Sequence, residues 1–270
     1  MYCLQINLTP TAAMTFRILP GSILNIATYP FVPPTTLSGY LRRVAMLSEG
    51  LDIPKTTINK DNPPFYTLPR SIVSLGAYPV ADTYTGVHRT YRKGMRSFNH
   101  DVFSRLYVEK DKANFQLHTW EYLIAEKLIG YVVSESKSDL ARFQQIKGMG
   151  CKLGKEGFAV VEEVSAPIEL KRETVSAHPS TIVPMETLLE SGEFINGCDI
   201  YNLYRYQWSS SQTHTDCFNN DCSEIDGFIP FVTAYYPPQS ESLATVAYYT
   251  NGEINISTSL VDLIQGKVNV

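Results

Sequence analysis

A glycine-rich segment in the middle of the chain places the strongest local constraint on the fold. Residues 148–157 read Gly-Met-Gly-Cys-Lys-Leu-Gly-Lys-Glu-Gly and lead directly into 158–164, Phe-Ala-Val-Val-Glu-Glu-Val. Glycine adopts backbone angles that other residues avoid and allows a second backbone to come close. The segment therefore predicts a tight, lysine-bearing turn beside a β-strand, which could seat a phosphate or a nucleic-acid backbone.

Two common nucleotide-binding motifs do not fit this segment. A P-loop requires Ser or Thr after Gly-Lys, whereas Gly154-Lys155 is followed by Glu156. A dinucleotide-binding loop precedes a helix, whereas this one precedes a predicted strand. A hairpin turn with solvated lysines stays open as the alternative. The candidate RNA contacts in the segment are Gly150, Lys152, Gly154, Lys155 and Gly157.

A second candidate lies in the polar, basic stretch 82–112. Four Lys or Arg residues fall between positions 88 and 96, with an aromatic residue among them. Cations neutralise phosphates and aromatic faces stack on unpaired bases, a combination typical of single-stranded RNA binding. With Gly94 as a tight turn, the stretch predicts an extended basic hairpin; a solvated loop is the alternative. The candidate contacts here are His88, Arg89, Tyr91, Arg92, Lys93 and Arg96, and Arg42 and Arg43 add a third basic site.

Composition narrows the class of protein. The 270 residues carry a net charge of −4, which argues against a binder driven by overall charge but permits local basic patches. No apolar run approaches the roughly 18 residues of a membrane span, and the first residues lack a basic leader, so a cytoplasmic protein is expected. The five cysteines are read as free thiols; a zinc site at Cys198, His214, Cys217 and Cys222 is a weaker alternative. We expect no cofactor and no metal.

The order of predicted elements indicates an α+β fold. Residues 2–8 alternate as a strand, and 33–47 show helical spacing with Thr35 or Thr36 as the cap. Residues 71–80 are apolar, and 114–133 suit one long helix or strands, with a strand favoured near 129–133. A short helix is expected over 137–147, capped by Ser138 or Asp139, and a strand over 158–164. If two strands lie between the helices, the order is βαββαβ, that of a ferredoxin-like unit. We therefore expect such a core over residues 1–170, with an insertion at about 82–112, and a β-rich region over 171–270.

An RNA-cleaving activity is the main catalytic alternative. His88 or His100, with Tyr91 and Lys93, could in principle activate a 2′-hydroxyl and stabilise the phosphorane without metal. The sequence contains no Ser-His-Asp signature and no HExxH motif. Nothing in the spacing fixes the geometry of these histidines, and a non-catalytic protein is the preferred hypothesis.

These motifs together resemble one protein family. The stretch Phe31-Val-Pro-Pro-Thr-Thr-Leu-Ser-Gly-Tyr-Leu-Arg-Arg43 is similar to the start of the first helix in CRISPR-associated RAMP proteins. Segment 148–157 resembles the glycine-rich loop of that superfamily, and 82–112 lies where its members carry a protruding hairpin, the thumb. Within the superfamily the chain looks most like the fifth Cas family, in a type I system of subtype I-D or I-B. The last hundred residues match no motif of the family.

The resemblance implies a ferredoxin-like (RRM-like) core and a role in a Cascade ribonucleoprotein for antiviral defence. Such a subunit binds and caps the 5′ handle of the CRISPR RNA and contacts the large subunit and the backbone subunits. Target DNA near the protospacer-adjacent motif is a further candidate partner, and no membrane is involved. In most branches this subunit is not catalytic, but in one branch it processes the precursor RNA itself.

Three hypotheses about function therefore stay open at the level of sequence. The first is a non-catalytic subunit that binds the RNA 5′ handle. The second is a metal-independent endoribonuclease that processes precursor CRISPR RNA. The third is a β-rich protein-interaction module that binds no RNA.

Overall fold

The fold was established from a computed structural model of the 270-residue chain. The structure describes residues 1–18, 25–51, 66–81, 85–95, 115–192, 197–209, 216, 218–219 and 225–267. In strands β4 and β5 it describes the backbone, but not the side chains of residue 85 or of 87–95 and 115–118.

Strands and helices follow one another in mixed order. The strands are β1 (Tyr2–Pro10), β2 (Asn25–Ile26), β3 (Val73–Pro79), β4 (Thr85–Met95), β5 (Phe115–Ala125), β6 (Leu128–Ser134), β7 (Gly150–Leu153), β8 (Gly157–Val164), β9 (Ile168–Glu169), β10 (Lys171–Ala177), β11 (Val183–Pro184), β12 (Asp199–Trp208), β13 (Ile225–Tyr235), β14 (Ala244–Thr250) and β15 (Asn255–Ser257). The helices are α1 (Pro34–Ser48), α2 (Lys137–Ala141), which continues as a 3₁₀ turn over Arg142–Ile146, α3 (Met185–Glu190) and α4 (Thr258–Gln265). The protein is thus α+β, as expected, and its sheets are mostly antiparallel.

The main sheet has the strand order β3-β6-β1-β8-β7, and β9 also pairs with β1. Its neighbours are antiparallel, with Leu4 opposite Val132 and Leu8 opposite Val161. The strands predicted over residues 2–8 and 158–164 are confirmed as β1 and β8. The stretch 114–133, whose local pattern suits a helix as well as strands, forms the two strands β5 and β6.

Helix α1 packs on one face of this sheet. The predicted apolar stripe is confirmed, because Leu37, Leu41 and Val44 are buried. A Cβ on Gly130 of β6 would lie 3.2 Å from the Leu37 side chain, so this glycine allows helix and sheet to approach closely. The predicted threonine cap is wrong: Pro33 is the N-cap, without a side-chain hydrogen bond, and Thr35 lies inside the first turn.

The second helical segment is shorter and differently capped than expected. Residues 137–147 divide into one α-helical turn and a 3₁₀ turn. The hydroxyl of Ser136 accepts a hydrogen bond from the backbone N–H of Asp139 at 3.3 Å. Ser136 is therefore the cap, and Ser138 and Asp139 lie within the helix. Leu140, Phe143 and Ile146 are buried, which confirms the amphipathic pattern.

Strands β4 and β5 form a long antiparallel hairpin, of which β4 lies within the predicted insertion at 82–112 and β5 lies after it. The register runs from Thr85 opposite Ala125 to Met95 opposite Phe115. Gly94 is paired with Gln116 inside the ladder, so the prediction that it forms the hairpin turn is wrong. The connection between the strands, residues 96–114, lies outside the described residues. Strand β2 pairs in parallel with β5 at Trp120.

The C-terminal part is β-rich, as predicted, and forms two three-stranded sheets, β10-β14-β15 and β11-β13-β12. The largest apolar core joins buried residues of the main sheet to Leu203, Phe231 and Ile256 of this part. The division of the chain near residue 170 stays a prediction. In the part of the chain that the structure describes, no helix is long and apolar enough to span a membrane.

Candidate nucleic-acid interface

The glycine-rich segment folds as the β7–β8 hairpin, with a turn at residues 154–156. Gly154 has a φ of +70°, a value that disfavours side chains, and a Cβ there would lie 2.8 Å from the Phe16 ring. A Cβ on Gly157 would lie 2.3 Å from Cγ of Met14. These two glycines are therefore required by the close approach of the segment 14–16. Their packing role is now explained without a bound phosphate.

The turn docks against the root of the β4–β5 hairpin. The backbone N–H of Lys155 donates to the carbonyl oxygen of Thr15 at 3.1 Å. Nζ of Lys155 lies 3.7 Å from the centroid of the Trp120 ring, within cation–π range. The hydroxyl of Tyr122 donates to Oε2 of Glu156 at 3.3 Å. Two side-chain contacts and one backbone bond thus hold the turn next to β5.

Segment 14–16 lies between the glycine turn and strand β5. Met14 and Leu123 exchange backbone hydrogen bonds of 3.0 and 2.7 Å, which attach the segment to β5. The Thr15 hydroxyl donates to the Glu121 carbonyl oxygen at 2.9 Å. The position of the glycine turn relative to the long hairpin is therefore determined by hydrogen bonds on both sides of one short segment.

Lys152 lies on the outer surface of the β7–β8 hairpin, opposite Phe158 in the register. Both residues are exposed, and the Phe158 side chain keeps 42% of its surface in solvent. Directly opposed residues of an antiparallel pair share a face, so a cation and an exposed aromatic ring stand side by side. This pair offers a phosphate contact and a stacking surface within one side-chain length. We refer to Lys152, Lys155 and Phe158 as the hairpin patch.

The predicted basic segment runs beside this turn. Thr90, in the middle of the segment, is opposite Trp120, the residue on which Lys155 stacks. The backbone of the predicted contacts lies on strand β4, whereas their side chains, and all of Arg96 and His100, lie outside the described residues; these contacts are His88, Arg89, Tyr91, Arg92 and Lys93. The two sequence motifs, some 60 positions apart in the chain, thus meet at the root of one hairpin.

Arg42 does not belong to this interface. Its side chain is fully buried, and Nη2 donates to the carbonyl oxygen of Asn219 at 3.0 Å. Nη1 donates to the carbonyl oxygen of Asp216. Because no phosphate can reach a buried guanidinium, the structure corrects the expectation that Arg42 contacts RNA. Its position on the flank of α1 instead ties the helix to the C-terminal part of the chain.

Arg43 lies next to the β7–β8 hairpin, on the face that packs against helix α1. Burial raises the pKa of the Cys151 thiol to about 11, and the nearby positive charge of Arg43 partly offsets this effect. Cys151 faces α1, with Sγ 3.9 Å from the Tyr40 carbonyl oxygen. Successive residues of a strand point to opposite faces, so Lys152 points away from Arg43. Arg43 and Lys152 are therefore not part of one continuous patch.

Sequence reasoning missed Trp120, Tyr122 and Phe158. Nothing in the sequence connects Trp120 to a lysine 35 positions away. Phe158 opens an apolar strand, and only the alternation of burial along β8 places it outside. The available signal was an aromatic residue directly after the last glycine of the segment.

The cysteine and histidine candidates are only partly described. Cys217, Cys222 and His214 lie outside the described residues, and Cys198 is half-buried. Among the residues that the structure describes, no group of His, Cys, Asp and Glu is arranged to hold a metal ion.

No known family model matches the sequence, and no curated protein matches it. Among solved structures, a CRISPR protein from Archaeoglobus fulgidus is similar at 14% identity and a TM-score of 0.40, covering 94% of this chain and 97% of that one. A chain of the type III-B Cmr-β complex bound to cognate target RNA and AMPPnP is similar at 12% identity and a TM-score of 0.43, covering 98% and 90%. The same complex with target RNA alone gives 11% identity, a TM-score of 0.42 and the same coverage. These neighbours are CRISPR proteins, but such values assign this chain neither to a family nor to a CRISPR subtype.

Proposed function

We propose that this protein is a non-catalytic subunit of a cytoplasmic CRISPR effector ribonucleoprotein of type I, and that it binds the 5′ handle of the CRISPR RNA. The resemblance of the first helix start, the glycine loop and the basic stretch to RAMP proteins of the fifth Cas family supports this proposal. In this function the protein recognises a single strand through phosphate contacts and stacked bases.

One observation carries the proposal. The glycine turn and the basic strand, which the sequence separates by some 60 residues, lie side by side at the root of the β4–β5 hairpin. Lys152 and Phe158 add an exposed cation and an exposed ring on the adjoining hairpin. A strand of RNA laid along the β7–β8 hairpin would meet the charges of Lys152 and Lys155 and the exposed ring of Phe158 beside Lys152, next to the backbone of the basic strand.

The proposal includes a ferredoxin-like core for the first 164 residues. Its support is the strand order β3-β6-β1-β8, in which the second and third strands of a βαββαβ unit lie on one side of the first and the fourth on the other. Helix α1 contacts the 3₁₀ turn that follows α2, so both helical segments cover the same face. In this arrangement the β4–β5 hairpin is the thumb, inserted between the second and third strands.

Partner subunits of the complex are part of the same proposal. The β12–β13 hairpin carries exposed apolar side chains at Ile200, Phe228 and Val232. Exposed apolar groups on one face are characteristic of protein–protein interfaces. We assign this face to a neighbouring subunit of the effector, such as the large subunit or the first backbone subunit.

Charge reversal at the hairpin patch tests the RNA-binding proposal. The K152E/K155E variant should bind CRISPR repeat RNA from the same genome more weakly than the wild type. Its plot of log affinity against log salt should also be flatter, by about 0.7 for each phosphate that the variant no longer neutralises. Lys171→Glu is the matched control, because Lys171 is an exposed strand lysine on a different sheet. Unchanged affinity and salt slope in the double variant would show that the patch holds no phosphate.

Incubation of the purified protein with the same repeat RNA in EDTA separates binding from catalysis. We expect the RNA to remain intact. Specific cleavage that is abolished by His88→Ala or His100→Ala would instead identify the protein as a processing endoribonuclease. Failure of the wild type to bind handle RNA even at low salt would favour the protein-interaction hypothesis.

A further inference from the structure

Acidic and basic residues are distributed unevenly along the chain. Residues 178–266 contain eleven Asp and Glu but a single Lys or Arg, Arg205, whereas residues 1–177 contain 21 Lys and Arg against 16 Asp and Glu. The Arg205 side chain is buried. Among the described residues of 178–266, the exposed charges are therefore all carboxylates. This part of the surface repels the phosphates of a nucleic acid.

The same part of the chain carries most of the exposed apolar side chains. Six large hydrophobic residues are exposed among those that the structure describes, and five of them lie between positions 189 and 243. Three of the five are on the β12–β13 hairpin, one is on α3 and one precedes β14. These five are Leu189, Ile200, Phe228, Val232 and Leu243. Exposed apolar groups and unbalanced negative charge therefore occur together in this part of the molecule.

The three apolar residues of the hairpin share its outer face. Val232 is opposite Asn202 in the register of β12 and β13. Ile200 and Phe228 are an even number of positions from this pair on their own strands, so all three apolar side chains point to one side. The other side carries residues such as Leu203, which is buried in the largest apolar core. One side of the hairpin is thus packed against the protein, and the outer face is open.

Carboxylates accompany these apolar side chains. Four of the five exposed apolar residues have an exposed carboxylate within two positions in the chain. These carboxylates are Glu190, Asp199, Asp226 and Glu241. None of the four forms an ion pair with another residue in the part of the chain that the structure describes. The outer face of the hairpin therefore has an apolar centre and carboxylates beside it that no cation of the described chain neutralises.

This combination determines the chemistry of the partner. An apolar centre with charged groups around it is the usual anatomy of a protein–protein interface. The carboxylates disfavour RNA and DNA, whose phosphates carry the same charge. They also disfavour a symmetric contact with a second copy, because the same acidic face would then meet itself. Lys or Arg at the rim of a different protein would neutralise them.

We propose that the outer face of the β12–β13 hairpin docks a protein whose contact surface is apolar at its centre and basic at its rim. The inference rests on the proposed function and deepens it, because it states the chemistry that the neighbouring effector subunit must present. The molecule then has two sides of opposite character. The hairpin patch binds RNA through Lys152 and Lys155, and the acidic C-terminal side binds protein.

Opposite charges at position 200 test the sign of the partner's rim. The Ile200 side chain is 53% exposed, so the free protein should tolerate Glu and Lys equally, and equal melting temperatures verify this. The probe is the set of remaining effector subunits from the same genome, co-expressed without RNA. Both variants lose the same apolar contact, which should weaken assembly about tenfold in Ile200→Glu. Ile200→Lys should weaken it about 100-fold or more, because a cation there meets the basic rim, and high salt should reduce the difference.

Neutralising the carboxylates gives a second measurement on the same complex. The D199N/D226N variant should assemble more weakly than the wild type, and its affinity should depend less on salt. Glu253→Gln is the matched control, because Glu253 is an exposed carboxylate in the turn between β14 and β15, on a different sheet. Equal effects of D199N/D226N and Glu253→Gln would overturn the inference.

Further outcomes separate this inference from the proposed RNA binding. If Ile200→Glu weakens assembly as much as Ile200→Lys, or more, the partner's rim is not basic and the inference is wrong. A concentration-dependent dimer of the isolated protein that both variants dissociate would show that the face binds a second copy instead. If the wild type binds repeat RNA but assembles with none of the subunits, the inference is wrong while RNA binding still stands. If the wild type binds no repeat RNA, the proposed function is wrong, and the comparison of Glu with Lys still tests the docking face.

Discussion

Replacing Arg42 by methionine should cost more stability than any surface change on helix α1. The buried guanidinium donates three hydrogen bonds, to the carbonyl oxygens of Asp216 and Asn219 and to the Asn219 side chain. A buried hydrogen bond from a charged group contributes about 1.5–3 kcal/mol. The acceptors are partly exposed, and methionine removes the cost of burying a charge. We therefore expect a total loss of about 2–4 kcal/mol, less than the sum of three bonds.

Urea unfolding and thermal melting measure this loss. For a chain of this size, about 2–4 °C per kcal/mol predicts a Tm lowered by roughly 5–15 °C. Arg142→Met is the matched control: Nη1 of Arg142 lies 3.2 Å from the Asp216 carboxylate, and both side chains are about half exposed, at 50% and 43%. That exposed pair should contribute no more than about 1 kcal/mol. Both variants act on the same loop, so a difference between them reports the buried bonds.

The same variant tests the RNA-binding expectation for Arg42. Folded Arg42→Met should bind repeat RNA with the salt slope of the wild type, because the side chain is not accessible. Two results would refute the structural assignment. One is a variant as stable as Arg142→Met, and the other is a stable variant with weaker, less salt-dependent RNA binding.

Two further outcomes follow from the packing. Gly157→Ala should destabilise the protein by about 1–3 kcal/mol, since its Cβ would lie 2.6 Å from the Leu153 carbonyl oxygen. Gly227→Ala, whose Cβ would meet only the Gln207 side chain at 3.6 Å, should change the urea midpoint little; equal effects of the two substitutions would contradict this reasoning. Burial raises the pKa of Cys3 to about 12, so the native state keeps a proton that the unfolded chain releases near pH 8.5. The contribution of this thiol to the free energy of unfolding should therefore be fully present below about pH 8. It should fall by about 1.4 kcal/mol per pH unit as the pH rises towards 12. A urea midpoint that stays constant from pH 8 to 10.5 would contradict this expectation.

Local patterns in the sequence predicted the elements that local interactions stabilise. The strand at the N-terminus and helix α1 follow directly from periodicities of 2 and 3.6. The basic stretch was predicted to fold back on itself at Gly94, whereas residues 85–95 form one strand whose partner is residues 115–125. Gly94 satisfies a turn and a strand equally well in isolation, and the pairing with Gln116 is determined by the full ladder. The cap at Ser136 was missed by two positions, because several neighbouring residues could supply the same hydrogen bond.

Arg42 and Arg43 show a second limit of prediction from sequence. Helical spacing places Arg42 and Arg43 about 100° apart on α1, and the sequence indicates only that both cannot face the main sheet. Which of them is buried depends on residues 216 and 219, which cover one flank of the helix. Such long-range contacts leave no trace in local composition.

The glycine segment shows most clearly which features the sequence determines and which depend on the tertiary structure. The sequence by itself determined that residues 148–157 contain a tight turn before a strand, because four glycines in ten positions disfavour a helix and permit positive φ. Pairing with β8 makes Gly150–Leu153 of this segment a strand. Only the tertiary structure decided why two of those glycines are needed and where the lysines lie. Segment 14–16 packs against Gly154 and Gly157, and Trp120 places Lys155 beside the basic strand. The physical reason is that conformational preference acts within a few residues, whereas packing and charge act between whichever surfaces the fold brings together.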